Sequence, residues 1–198
     1  MSENTETAIS NLMNALVALY EQEDYPGGRE AVAALRSVSV GDLALPPHNP
    51  MPDRLAHAWA DDPIADIAPF TAANHLLNWQ FSGMKDGQIR EDIARNLMSC
   101  QIIGPDGMIH HPTVKVGLFF QSAGVDYVTR THPAEETFIM LSGEGIWTCE
   151  NVTQTAHAGA IIHHPSNAPH NSVTRARPLI AAWRWTGDID FANYTLIG

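Results

Sequence analysis

Residues 130–143 read RTHPAEETFIMLSG, and the order of residue types in that stretch decides the fold. His132 is followed at once by Pro133, and Glu136 stands at the head of an apolar run that ends in Ser142-Gly143. A proline bends the chain, so the glutamate can return on the next strand toward the point from which the histidine projects. An imidazole and a carboxylate brought together in this way suit one divalent metal ion. The run continues as "GEGIWTCE", and its glycines predict a hairpin around Ser142 to Gly145.

Working outward, the same strand chemistry fills the second half of the chain. "CQIIGPDGMIHH", residues 100–111, sets Gly-Pro-Asp-Gly between two apolar runs and predicts a hairpin, with the first strand starting there. "TVKVGLFFQSAGVDYVTRTH" breaks at Ser-Ala-Gly, and "GAIIHHPSNAPHNSVT" and "PLIAAWRWTG" add further short strands. Closely spaced strands without intervening helices predict an antiparallel jelly-roll barrel. The first half reads differently. Ile9, Leu12, Met13, Leu16, Leu19 and Tyr20 recur at helical spacing within residues 7–21, and further helices are expected over 29–38, 70–79 and 88–98. "LALPPHNPMPDR" reads as a linker. The expectation is a mainly β barrel over 99–198 with a helical region, 1–98, packed on it as one structural unit.

Composition narrows the partners. The 198 residues carry 11 Lys+Arg against 22 Asp+Glu, a net charge of -11, which repels phosphate backbones and anionic lipid. No nucleic-acid or membrane partner is expected, and an acidic, polar start without a signal pattern predicts a cytoplasmic protein. Cys100 and Cys149 form neither a disulfide framework nor a cysteine zinc site. The paired His163 and His164 read as strand residues or outer donors, while His110 and His111 fit either the surface or a pocket rim.

The spacing of the key residues resembles the cupin superfamily. Gly124, Arg130, His132, Glu136 and Gly143 follow its first motif, G-x5-H-x-H-x3-E-x6-G, and Gly159, Pro165 and His170 follow its second, G-x5-P-x-G-x2-H-x3-N. Three positions depart: Arg130 replaces the first histidine, Asn167 the inner glycine and Thr174 the final asparagine. The resemblance implies a metal held by His132, Glu136 and His170, a set that suits zinc, iron or manganese. Within cupins, "GVDYVTRTHPAEETFIMLSG", the upstream "IGPDGMIHH" and "PLIAAWRW" resemble the bacterial dimethylsulfoniopropionate (DMSP) lyases of the DddQ type. That family cleaves DMSP, a small carboxylate, to dimethyl sulfide and acrylate.

The family resemblance implies a tyrosine two residues after the ligand glutamate, but this chain has Phe138. Tyr127 matches a second family tyrosine and is the remaining base candidate; strict strand alternation places it opposite His132 unless a bulge intervenes. Phe119, Phe138, Trp183 and Trp185 are candidate faces for the sulfonium cation, and Arg130 anchors either a carboxylate or Glu135. Two other functions fit the same residues: another cupin metalloenzyme, such as a non-haem iron oxygenase, acting on a different small carboxylate, or a non-enzymatic ligand-binding cupin. The helical half leaves room for a homodimer.

Overall fold

A computed structural model of the chain describes residues 3–44, 53–81 and 89–197. Helix α1 (Glu3–Tyr20) buries Ile9, Leu12, Met13, Leu16, Leu19 and Tyr20 on one face, as their spacing predicts. Helix α2 (Pro26–Ser37) opens on a proline, whose missing N–H costs nothing in a first turn. The stretch read as a linker lies mostly outside the described residues, and its last two residues open helix α3 (Asp53–Trp59). Helix α4 (Ala68–Ala73) continues into a 3-10 turn at Asn74–Leu76, and the chain is extended by Leu77, with Gln80–Phe81 forming strand β1. The helix expected over 88–98 is one turn, α5 (Glu91–Ala94). Strand β2 (Leu97–Gly104) starts at Leu97 rather than after Cys100, because Leu97 to Cys100 ladder onto a neighbouring strand and bury most of their side chains. Burial in a sheet outweighs local helix preference there.

The remaining strands are β3 (Ile109–His110), β4 (Lys115–Gln121), β5 (Asp126–Thr131), β6 (Glu135–Cys149), β7 (Val152–His157), β8 (Ile161–His164), β9 (His170–Val173), β10 (Leu179–Thr186) and β11 (Thr195–Ile197). They form a curled sheet in the order β1-β2-β4-β10-β6-β9-β5-β11, with β3 on β2 and both β7 and β8 on β6. The architecture is thus the mainly β barrel expected, carrying helices on one face. Two of the predicted hairpins are absent. Strands β2 and β3 pair in parallel across the Gly104–Gly107 turn, so the chain loops round instead of folding back. Strand β6 runs unbroken through Ser142 to Gly145, pairing first with β10 and β8 and then with β7 and β9. Gly143 makes that passage possible: its φ is +77°, and a Cβ there would sit 1.9 Å from the Pro178 carbonyl oxygen.

Alternation along the central strands sorts side chains into two cores. Val116, Leu118 and Phe120 of β4, Ile139 and Leu141 of β6, and Ile180 and Ala182 of β10 pack under the helices with Leu12, Leu16, Trp59 and Phe70. Phe119, Phe138, Met140 and Ala181 face the opposite way, into the barrel, with Tyr127, Trp147 and Ile162. Both faces of these strands are covered, so β4 is buried along its whole length and shows no polar-apolar alternation.

Candidate metal centre

The barrel interior gathers its polar groups from two turns and three neighbouring strands. His132 lies in the turn between β5 and β6, and Glu136 is the second residue of β6. His170 opens β9 after the turn that follows β8. The two turns are tied together where the Asn167 N–H donates to the His132 carbonyl at 2.8 Å. Asn167 has φ +62°, in the left-handed region that glycine enters freely and asparagine tolerates best among other residues. The departure from the motif's inner glycine therefore keeps the turn. Across β6, Glu136 is paired with Trp185 on β10 and His164 on β8, and on the other layer Arg130 is paired with His170.

The three expected ligands do converge. His132, Glu136 and His170 offer donor atoms that all lie within 4.8 Å of one another. The His132 Nδ1 lies 3.0 Å from the Ala134 carbonyl and the His170 Nδ1 2.8 Å from that of Ala168. A carbonyl only accepts, so each Nδ1 carries the ring proton and each Nε2 presents a lone pair. Those Nε2 atoms stand 3.4 and 3.3 Å from the Glu136 Oε2 and have no hydrogen-bond donor. Lone pairs facing one another in a buried site repel unless a cation lies among them, and the donor set is one that divalent first-row metals accept. The residues fit a metal.

Electrostatics agree. Burial pushes the His170 imidazole down to about 3, with the Arg130 charge acting in the same direction, so the ring is neutral and able to ligate at neutral pH. Burial by itself would raise the Glu136 carboxyl, but the imidazoles of His132, His164 and His170 outweigh it and hold the group well below the usual carboxylate range. The carboxylate is also oriented: its Oε1 accepts from the Trp185 indole N–H at 2.6 Å, and its Oε2 lies 3.1 Å from the His164 Nδ1. The His164 ring stacks on His170 with centroids 4.0 Å apart. His163 points elsewhere, to Glu135 and the ring of Tyr25; His110, at the end of β3, and His111 after it stay away from the barrel interior, bonded to the Pro105 carbonyl and the Val114 N–H.

A cavity of about 190 Å³ opens onto Glu136, lined also by Tyr127, Arg130, Phe119, Phe138 and Trp183 among others. A bulge in β5 between Tyr127 and Arg130 shifts the register against β9 and brings both side chains to this cavity, overriding simple alternation. The Tyr127 and Tyr194 hydroxyls are 2.8 Å apart. Of the four aromatic residues expected around a cation, Trp185 is engaged already. Its ring lies 4.3 Å from that of His132 and carries the Lys115 ammonium 5.1 Å from its centre. Arg130 does not meet Glu135, which is bound instead by Arg184 at 2.8 Å and by His163.

Several residues of the site escaped sequence reading. Tyr194 and Phe191 reach the cavity from the segment after β10, which carries no motif. Lys115 had a signal, as the one cation in the apolar run KVGLFFQ. Arg184, buried behind Glu136, donates from Nε to Glu23 at 3.0 Å and from Nη1 to the Thr186 hydroxyl at 3.0 Å. Thr137 also donates to Glu23, at 2.7 Å. No local pattern links Glu23 to positions so distant in sequence.

The DMSP lyase family model (dimethylsulfoniopropionate lyase) matches residues 28–181. The DMSP lyase DddQ of Ruegeria pomeroyi is 28% identical over 193 residues, covering 95% of this chain and 94% of its own. The crystal structure of DddQ from R. pomeroyi DSS-3 superposes with a TM-score of 0.71 at 25% identity, over 96% of each chain. A crystal structure of the DMSP lyases RdDddP and RnDddQII gives a TM-score of 0.73 at 20% identity, over 98% of this chain and 100% of its own, a likeness of fold. The chain belongs to the dimethylsulfoniopropionate lyase family.

Proposed function

We propose that this protein is a metal-dependent carbon-sulfur lyase that cleaves dimethylsulfoniopropionate to dimethyl sulfide and acrylate, with the metal held by His132, Glu136 and His170. The observation that carries the reading is the convergence of those three side chains, two with bare Nε2 lone pairs, on one point of a small cavity in a chain of this family. A divalent cation bound there supplies charge stabilisation as the substrate carboxylate becomes enolate-like.

The chain's own residues carry the remaining steps. Tyr127 takes the proton from the carbon next to the carboxylate, the C–H electron pair forms the new double bond, and the carbon-sulfur bond breaks with its pair leaving on sulfur. Neutral dimethyl sulfide departs and acrylate remains. The Tyr127 hydroxyl is raised, chiefly by burial; the Arg130 charge and the hydrogen bond with Tyr194 offset part of that rise and so work toward the phenolate that a base requires. Phe138 has no proton to exchange, so Tyr127 and Tyr194 supply the phenol groups of this cavity. With Trp185 engaged, the sulfonium group rests on Phe119, Phe138 and Trp183, whose faces are worth about 0.5 to 2 kcal/mol each.

The test is a headspace assay for dimethyl sulfide with purified protein reconstituted with zinc, iron or manganese, run under nitrogen with DMSP. Equal amounts of dimethyl sulfide and acrylate are expected, since elimination consumes no oxygen. No dimethyl sulfide with any of the three metals would overturn the reading.

A further inference from the structure

We infer that Arg130 is a binding residue for the acid group of the substrate and holds a small carboxylate in this cavity without help from the metal. The inference builds on the reading of the cavity as the lyase site and assigns the group that receives one end of its substrate.

Arg130 is 2% exposed, and among the described residues neither its Nη1 nor its Nη2 has a hydrogen-bond partner. Among the described residues no aspartate or glutamate forms an ion pair with it. Glu135 is taken by Arg184 and His163, and the Glu136 oxygens are turned to Trp185, His132, His164 and His170. The Tyr127 ring packs against it, its centre 4.0 Å from the guanidinium carbon. An aromatic face accommodates the cation but accepts none of its N–H bonds. A buried guanidinium in that condition calls for an acceptor from outside the chain, and its fork of donors matches a carboxylate in two parallel bonds.

The surroundings favour an anion further. Lys115, 9% exposed, lines the same cavity and also forms no ion pair among the described residues. The cavity therefore holds two cations against one carboxylate that is already engaged. The β5 bulge sets Arg130 beside Tyr127, so an acid group bound here lies on the wall that bears the tyrosines, where the neighbouring C–H is to be broken. The replacement of a motif histidine by Arg130 thereby exchanges a metal ligand for a substrate ligand.

The experiment is isothermal titration of the metal-stripped protein with propionate, an unreactive three-carbon acid, and with its neutral counterpart propionamide. Expected are one propionate site, propionamide at least tenfold weaker, at least a tenfold loss in Arg130→Gln, and smaller losses in Arg130→Lys and in Lys115→Gln. Equal affinity for acid and amide, an Arg130→Lys protein that binds like the wild type, a loss that falls on Lys115→Gln instead, or propionate binding that appears only after zinc is restored would each overturn it. The acid-amide comparison needs only the wild-type chain, so the test survives a misfolded Arg130→Gln, which circular dichroism would reveal. Propionate binding of this kind in a protein that releases no dimethyl sulfide would sink the lyase reading alone. A working lyase whose propionate affinity ignores Arg130 would sink this one alone.

Discussion

Glu136 is held from both sides before any metal arrives. Trp185 fixes one oxygen and His164 lies against the other, and partners of this sort orient a ligand and tune its affinity. Trp185→Phe keeps the ring but loses the N–H, so metal affinity should fall by roughly 10- to 100-fold, measurable by competition with a chelator. His132→Ala and His170→Ala should each reduce bound metal to trace levels in elemental analysis; full occupancy in both would disprove the ligand set. Tyr127→Phe should abolish dimethyl sulfide release while metal content stays unchanged, and an unaffected rate would remove Tyr127 as the base.

At the scale of elements, strand β10 links the helices to the candidate metal centre. Its outward-facing Arg184 is fully buried against Glu23 in the loop between α1 and α2, while its inward-facing Trp183 and Trp185 line the cavity. Arg184 also holds the Glu135 carboxylate, so the residue before Glu136 is bound to the helical layer. Gly27 leaves the space the guanidinium needs, since a Cβ there would lie 2.2 Å from its Nη1. Glu23→Ala leaves Arg184 buried with only Glu135 and Thr186 as partners and should destabilise the fold by about 3 to 5 kcal/mol, read from urea denaturation. A loss below about 1 kcal/mol would mean that water replaces the glutamate freely.

For the whole molecule the testable quantity is acid sensitivity without metal. A histidine whose folded value is about 3 is neutral when folded and becomes protonated on unfolding once the pH drops below about 6.5. The unfolded state then binds the extra proton, so stability is lost as pH falls through that value toward 3. His170 alone contributes a loss of about 2 kcal/mol between about pH 7 and pH 5. His164, lowered by burial, and Glu136, held low, act with the same sign. Thermal melts of the metal-free protein should show the midpoint falling over this range, and less steeply in His170→Gln. A midpoint independent of pH would contradict the buried, neutral histidines.

The sequence by itself determined the β barrel, the helical stripe of α1 and the convergence of His132, Glu136 and His170, because strand and helix periodicity and motif spacing are local properties that burial then reinforces. It misplaced what depends on contacts across the chain. Glycines at 143 and 145 look like a hairpin, but strand β6 bends through them because Pro178 presses against its backbone. Residues 97 and 98 fall in the stretch that reads as helical, yet their pairing with β4 draws them into the sheet. Only the tertiary structure decided that Arg130 meets no acidic partner among the described residues, that Trp185 holds Glu136, and that Tyr194 meets Tyr127. Each of those facts concerns side chains from separate strands whose meeting is set by sheet register and a bulge, and neither is written in the spacing of residues along the chain.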